Sequence, residues 1–347
     1  MKNVIKVAGV YIGIIIGAGF ASGQEINHFF ISYGSKWFLG MILTGILFCI
    51  LGSAILNIIY ENEIHSYHDF MHVIMGKSTA KVMEWISGIF LCILFFTMTA
   101  ATGAVAQEAF GFDYIIGVYA LLFLCFFVFL FDVKGIIAIN SILAPLLIIS
   151  AILIGIYSCI VENFVPVFSV KEIINQNKWI VSSILYVSYN IITAISVLIP
   201  MKSLIFSKKA AVWAAVLGGI SMALIGICIG TVLFMHYENV KNLEIPMLAI
   251  IEKYSIQIKY IYIFMLLAAI FTTAIGNGFG AICWIQTKLN WNGYIIKLLF
   301  LTLAGAASFI GFSGFVRNLY PLFGIIGIIE ILFILKQRIL VRIFKVN

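Results

Sequence analysis

Ten apolar stretches separated by polar connections set the pattern of this chain, at roughly 5–31, 36–60, 82–107, 112–131, 135–160, 179–201, 209–235, 257–283, 294–312 and 316–336. A helix rises about 1.5 Å per residue, so roughly 20 apolar residues cross a hydrocarbon layer of about 30 Å. Each stretch therefore predicts one membrane-spanning helix. The segment near 112–131 is short, a length that tilt or local bilayer thinning accommodates. Composition points the same way. Of 347 residues, 63% are hydrophobic and 10% charged, with mean hydropathy +1.15, more apolar surface than one soluble core can hide.

The net charge of +7 is spread through short loops and reads as topology rather than as a nucleic-acid surface. With the N-terminus inside, 14 of the 21 Lys and Arg fall on the cytoplasmic side: Lys2, Lys6, Lys77, Lys81, Lys134, Lys202, Lys208, Lys209, Lys288, Lys297, Lys336, Arg338, Arg342 and Lys345. Both termini are accordingly expected inside a cell membrane. Lys2 and Lys6 ahead of an apolar stretch imitate a signal peptide, but the internal glycines, polar continuation and absence of a clear cleavage site predict that it stays in the chain. The six cysteines lie in or beside apolar runs without a CxxC pair, so packing is their expected role. The inner connection Tyr60–Lys81 gathers His65, His68 and His72 beside Asp69. That spacing suits a helix-face metal site, but no fourth ligand is evident, and a surface amphipathic segment is the expected form. The outer connections Glu162–Trp179 and His236–Lys259 mix apolar and charged residues, as surface helices or solvated links do.

Two spans are unlike plain anchors. The first contains "GIIIGAGFASGQEINHFF" (Gly13–Phe30), with glycines, Ser22, Gln24, Glu25, Asn27 and His28 where leucine is expected. The sixth contains "SSILYVSYNIIT", with Tyr186, Ser188, Tyr189 and Asn190 inside an apolar run. Close packing through small residues explains either one alone. Together they lead two blocks of five spans, and an odd block length places the blocks upside down relative to each other. That pattern predicts a single all-α domain over residues 1–347. It has ten transmembrane helices in a 5+5 inverted repeat (about 1–160 and 179–336), with helices 1 and 6 broken near the membrane midplane. A helix broken in the membrane exposes N–H groups at one end, which attract a carboxylate, and carbonyls at the other, which attract a cation.

In the eighth span, "LLAAIFTTAIG" places Ala269, Thr272 and Thr273 at i, i+3 and i+4, so one carbonyl and two hydroxyls share a helix face. Hard oxygens of this kind suit Na⁺. Threonines in membrane helices also bond back to their own i−4 carbonyls. Glu25 has three open readings: proton carrier, binder of a substrate amino group, or structural carboxylate on the outer half of the first span. Glu330 lies deeper in its helix, without a partner evident from sequence.

With these residues in place, the chain resembles the amino acid–polyamine–organocation superfamily, which has the LeuT-type 5+5 inverted-repeat fold. Within it, "GAGFASGQE" (Gly17–Glu25) closely resembles the YkvI-type bacterial membrane proteins. The architectural resemblance covers nearly the whole chain. It implies that the unwound stretch Gly17, Ala18, Gly19 and Phe20 lines a substrate site with Tyr186, Ser188, Tyr189 and Asn190 of the sixth span. In sodium-coupled relatives, carbonyls matching Gly13 and Ile16 meet an ion with the eighth-span partners Ala269, Thr272 and Thr273. The polar Tyr189-Asn190 pair departs from the small or aromatic gate common at the sixth-span break.

The expected function is a secondary active transporter of a small solute, an amino acid or similar zwitterion. It works by alternating access coupled to Na⁺ or H⁺ in a bacterial cell membrane, with Glu25 as a coupling or gating residue. The alternative is a ligand-sensing subunit on the same fold without net transport, like germinant receptors. No enzyme, nucleic-acid partner or cofactor beyond a coupling Na⁺ is expected, and oligomeric state is not legible.

Overall fold

The computed structural model describes residues 1–130, 153, 157, 160 and 178–344, with side chains to Arg338. Most of the fifth apolar stretch and most of the connection before Trp179 lie outside the described residues. All regular structure described is helical, and seven helical segments are long and apolar enough to cross a membrane; two shorter apolar helices, Asn3–Ile15 and Tyr114–Leu130, accompany them. Phe123, Leu124, Trp213, Phe264, Leu303 and Leu332 each expose more than half of their surface. In water such a belt would aggregate; in a bilayer, lipid covers it.

Helix α1 (Lys2–Ile15) is followed by the short helices α2 (Ala18–Ala21) and α3 (Gln24–Phe29). A 3-10 turn leads into α4 (Trp37–Glu61), and α5 (Tyr67–Met75) precedes the long α6 (Lys77–Phe110) and α7 (Tyr114–Leu130). The second half contains α8 (Lys178–Leu198), α9 (Lys208–Met235), α10 (Pro246–Glu252), α11 (Ile256–Lys288) and α12 (Gly293–Ala307). A π turn, Phe315–Leu319, opens the final helix α13 (Tyr320–Phe344).

Small residues let these helices approach closely, as expected where lipid offers no hydrophobic drive between them. Along the α4–α9 seam, a Cβ at Gly219 would meet Cys49 Sγ at 2.5 Å, and one at Gly226 would meet Met41 Sδ at 2.4 Å. Along α8–α13, Gly324 and Gly327 lie on the Leu185 and Ser188 carbonyls.

The expected break in the sixth span is corrected: α8 runs unbroken through Ser188–Asn190, and the chain departs from α geometry only at the 3-10 turn Ile199–Leu204. Its polar side chains are absorbed locally. The Ser188 hydroxyl donates to the Ile184 carbonyl at 2.6 Å and the Asn190 amide to the Tyr186 carbonyl at 2.9 Å, so neither needs an opened backbone.

The histidine segment forms α5, an amphipathic helix capped by Ser66, whose hydroxyl accepts the Asp69 N–H. Its histidines take separate partners, His68 meeting Glu84 and His65 meeting Lys202. Among the described residues no three His, Cys, Asp or Glu side chains converge. Beside this helix, Glu61 receives Lys208 at 2.5 Å and Arg338 at 3.5 Å, tying α4 to α9 and α13.

Candidate functional site

The first span is interrupted at its glycines. The hydrogen-bond ladder of α1 closes with the Ile16 N–H on the Ile12 carbonyl, and the next bond in the chain is Ala21 N–H to the Gly17 carbonyl. Ile16 (φ −82°, ψ 69°) and Gly17 (φ −86°, ψ −168°) leave the helical region, and α2 begins at Ala18. The carbonyls from Gly13 to Ile16 therefore receive no ladder N–H, inside a helix that is otherwise apolar.

Gly17 adopts an extended backbone open to any residue, and Gly19 is helical, so neither is needed for its torsions. The left-handed residue is Gly23, at φ +82°, where the chain bends between α2 and α3. This bend relocates Glu25. In a straight helix Glu25 would sit nearly two turns beyond Gly19. Here its carboxylate folds back so that Oε1 lies 2.1 Å from the position a Gly19 Cβ would take. On the outer half of the first span, Glu25 is 7% exposed and its carboxylate lies against Gly19 of α2.

Helix α8 supplies the opposite wall. The Tyr186 hydroxyl donates to Glu25 Oε2 at 3.3 Å. The Tyr189 hydroxyl is buried without a hydrogen bond, close enough to Glu25 to feel its charge. The Tyr186 and Tyr189 rings lie 5.4 Å apart, edge to face, and both pack on Phe29, with centroids at 5.4 and 5.6 Å. Tyr320 of α13 completes the wall, 4.9 Å from Tyr189. Its sequence context carried no signal, because only the fold brings α13 to α8.

Helix α11 lines the other side. From Gly17, the place of a Cβ is 3.7 Å from Thr273 Oγ1, and the Tyr262 hydroxyl donates to the Ala21 carbonyl at 2.9 Å. Thr272 donates to the Ala269 carbonyl at 3.1 Å, so those two oxygens already face each other. Ile16, Ala269 and Thr272 are buried, while Gly13 and Thr273 are half-buried. Neutral hydroxyl and freed carbonyl oxygens on facing elements have the donor chemistry of a hard monovalent cation.

The structure thus brings Gly17 to Thr273, Gly19 to Glu25, and Glu25 to Tyr186. Ala18 and Phe20 are buried in α2. Ser188 is not part of this group: its carbonyl and Cβ lie against Gly327 of α13. Asn190 spends its amide on its own helix.

Beyond α3 lies a cavity of about 280 Å³, lined by Gln24, Asn27, His28, Tyr237, Lys241 and Arg317 among others. The connection after α9 folds over it as the turn Tyr237–Val240 and helix α10, which the Met247 N–H ties to the Ser22 carbonyl at 3.0 Å. Glu108 at the end of α6 accepts the Glu244 and Ile245 N–H groups at 2.8 and 3.0 Å. Glu244 in turn accepts from the Ser313 N–H and hydroxyl.

An interrupted first helix facing a long eighth-span helix is the architecture of the LeuT-type membrane proteins, and solved structures agree. The chain matches inward-facing Mhp1 with a TM-score of 0.62 at 12% identity, over 93% of this chain and 73% of that one. It matches the manganese transporter of Eremococcus coleocola (mutant H236A) with a TM-score of 0.61 at 10% identity, over 96% and 78%. At these identities the likeness is one of fold. By sequence, the chain is a homologue of the membrane protein YkvI of Bacillus subtilis (strain 168), 26% identical over 322 residues, 91% of this chain and 90% of YkvI. YyaD of the same organism is 26% identical over 310 residues, 89% of each chain. No family model matches.

Proposed function

We propose that this chain is a secondary active transporter of a small solute, an amino acid or similar zwitterion, driven by a Na⁺ or H⁺ gradient. The observation that carries the reading is the helix interruption at Ile16–Gly17, packed against Thr273 of α11. Unbonded backbone in a membrane interior is costly unless it lines a site. The pair Gly17–Thr273 supports a coupling Na⁺ held by Gly13, Ile16, Ala269, Thr272 and Thr273. The solute would lie between Gly17–Phe20 and the Tyr186–Tyr189 face, beside Glu25. The whole chain would form one domain of ten helices in a 5+5 arrangement, with both termini in the cytoplasm of a bacterium.

The two structural neighbours are described with different cargoes, manganese for one and a bound hydantoin for Mhp1. For this chain the aromatic wall and neutral oxygens favour an organic solute over a multivalent metal. Nothing in this donor set favours an enzyme.

Reconstituted proteoliposomes test the reading. Labelled amino acids should accumulate under an inward Na⁺ or proton gradient and leak out when an ionophore collapses it. Binding without flux under either gradient would reject transport in favour of a sensing subunit.

A further inference from the structure

Glu25 is a buried carboxylate, 7% exposed. Among the described residues, no Lys, Arg or His forms an ion pair with it, and its one hydrogen bond, from Tyr186, is long at 3.3 Å. An ionised carboxylate in such surroundings is expensive unless a positive group joins it. A second polar group faces the same carboxylate: the Tyr189 hydroxyl, on a residue 3% exposed, has no hydrogen-bond partner within 3.5 Å and lies beside Glu25. The rings of Tyr186 and Tyr189 pack on each other and on Phe29, with the Tyr186 hydroxyl at the carboxylate, and aromatic rings attract cations, ammonium groups above all.

The position matters as much as the environment. Glu25 Oε1 occupies the notch that the missing side chain of Gly19 leaves, directly against the interrupted segment. A solute carboxylate presented there would meet a like charge. A solute ammonium would meet its counter-charge and an aromatic wall.

We infer that Glu25 is the solute-recognition group of this site and that the solute binds through a cationic nitrogen, held between the Glu25 carboxylate, the Tyr189 hydroxyl and the rings of α8. This rests on the transporter reading for the identity of the site and goes beyond it in naming which end of the solute is read. In the structure the carboxylate itself fills the notch above Gly19, so the amine enters as the carboxylate swings off that glycine. A carboxylate on a zwitterionic solute must then point away from Glu25. Solutes lacking a cationic nitrogen are excluded.

The test uses the full chain in nanodiscs, with thermal unfolding followed by tryptophan fluorescence. The probes are the standard amino acids, n-butylammonium chloride and potassium butyrate, all at one ionic strength and one fixed Na⁺ concentration. At least one amine-bearing probe should raise the unfolding temperature, and potassium butyrate should not. In Glu25→Gln, which keeps the shape and removes the charge, the half-saturating amine concentration should rise about tenfold or more; Glu25→Asp should recover part of the loss. An amine response unchanged in Glu25→Gln, an equal response to butyrate, or no amine response would each overturn the assignment. Proteoliposome uptake separates the two readings. Flux indifferent to Glu25→Gln removes this inference and leaves transport standing. Glu25-dependent amine binding without flux removes transport and leaves the inference standing.

Discussion

Glu25 and Gly19 share one volume: the carboxylate of the first lies where the side chain of the second would begin. Gly19→Ala must therefore push Glu25 aside. Because the obstructing atoms are the far end of a flexible side chain, the protein should still fold and purify as a single species. Uptake should drop about tenfold, with Glu25 displaced from Tyr186. Uptake assays beside gel filtration check this; wild-type flux would show that the carboxylate position is immaterial.

Gly23→Ala attacks the bend itself. At φ +82° an alanine is strained, and its Cβ would come 2.8 Å from Met247 Cγ. A loss of roughly 1–3 kcal/mol is expected. Thermal unfolding in detergent should show a clear decrease for this variant and a smaller one for Gly19→Ala.

Thr273→Val preserves shape and removes the hydroxyl nearest Gly17. With Na⁺ as the coupling ion, the half-saturating Na⁺ concentration should rise about tenfold, or about 1.4 kcal/mol, while maximal uptake persists. A proton-driven uptake indifferent to this substitution would instead assign coupling to H⁺.

Glu108→Ala removes the acceptor that holds the Glu244 and Ile245 N–H groups, and with it the anchor of the α10 cap on α6. Limited proteolysis between His236 and Ser255 should accelerate several-fold, because the freed backbone donors open to water. Unchanged cleavage would mean that the Met247–Ser22 and Ser313–Glu244 bonds hold the cap without Glu108.

At the opposite end, Lys202 meets Glu63 and holds its carboxyl below the usual carboxylate range. A carboxyl depressed by folding stabilises the protein above its unfolded value, and that contribution fades as pH falls through the folded one. Glu63 is exposed, so the effect on stability is small. In Lys202→Gln, an NMR titration of Glu63 should move upward; an unmoved titration would show that the pair does not persist in solution.

The helical, membrane-spanning character was legible because it depends on composition and run length, which are local properties. An interruption near Gly17–Gly19 was legible because glycines and polar residues recur within an apolar run; the structure places it at Ile16–Gly17, with Ala18 and Gly19 already helical. The sixth span misled because Ser188 and Asn190 satisfy themselves within their own helix, a choice that polarity alone does not reveal. The torsional need sat at Gly23 instead of Gly17, because a bend is fixed by what the next helix packs against.

By itself, the sequence determined the class of protein, the number of apolar stretches and the place where the first helix opens. Each follows from matching a local stretch of chain to hydrocarbon. Only the tertiary structure decided that Glu25 returns to Gly19, that Thr273 meets Gly17, and that Tyr320 closes the aromatic wall beside Tyr189. The last two depend on helices more than a hundred residues apart. Glu25 depends on a bend at one glycine, Gly23, that no periodicity records.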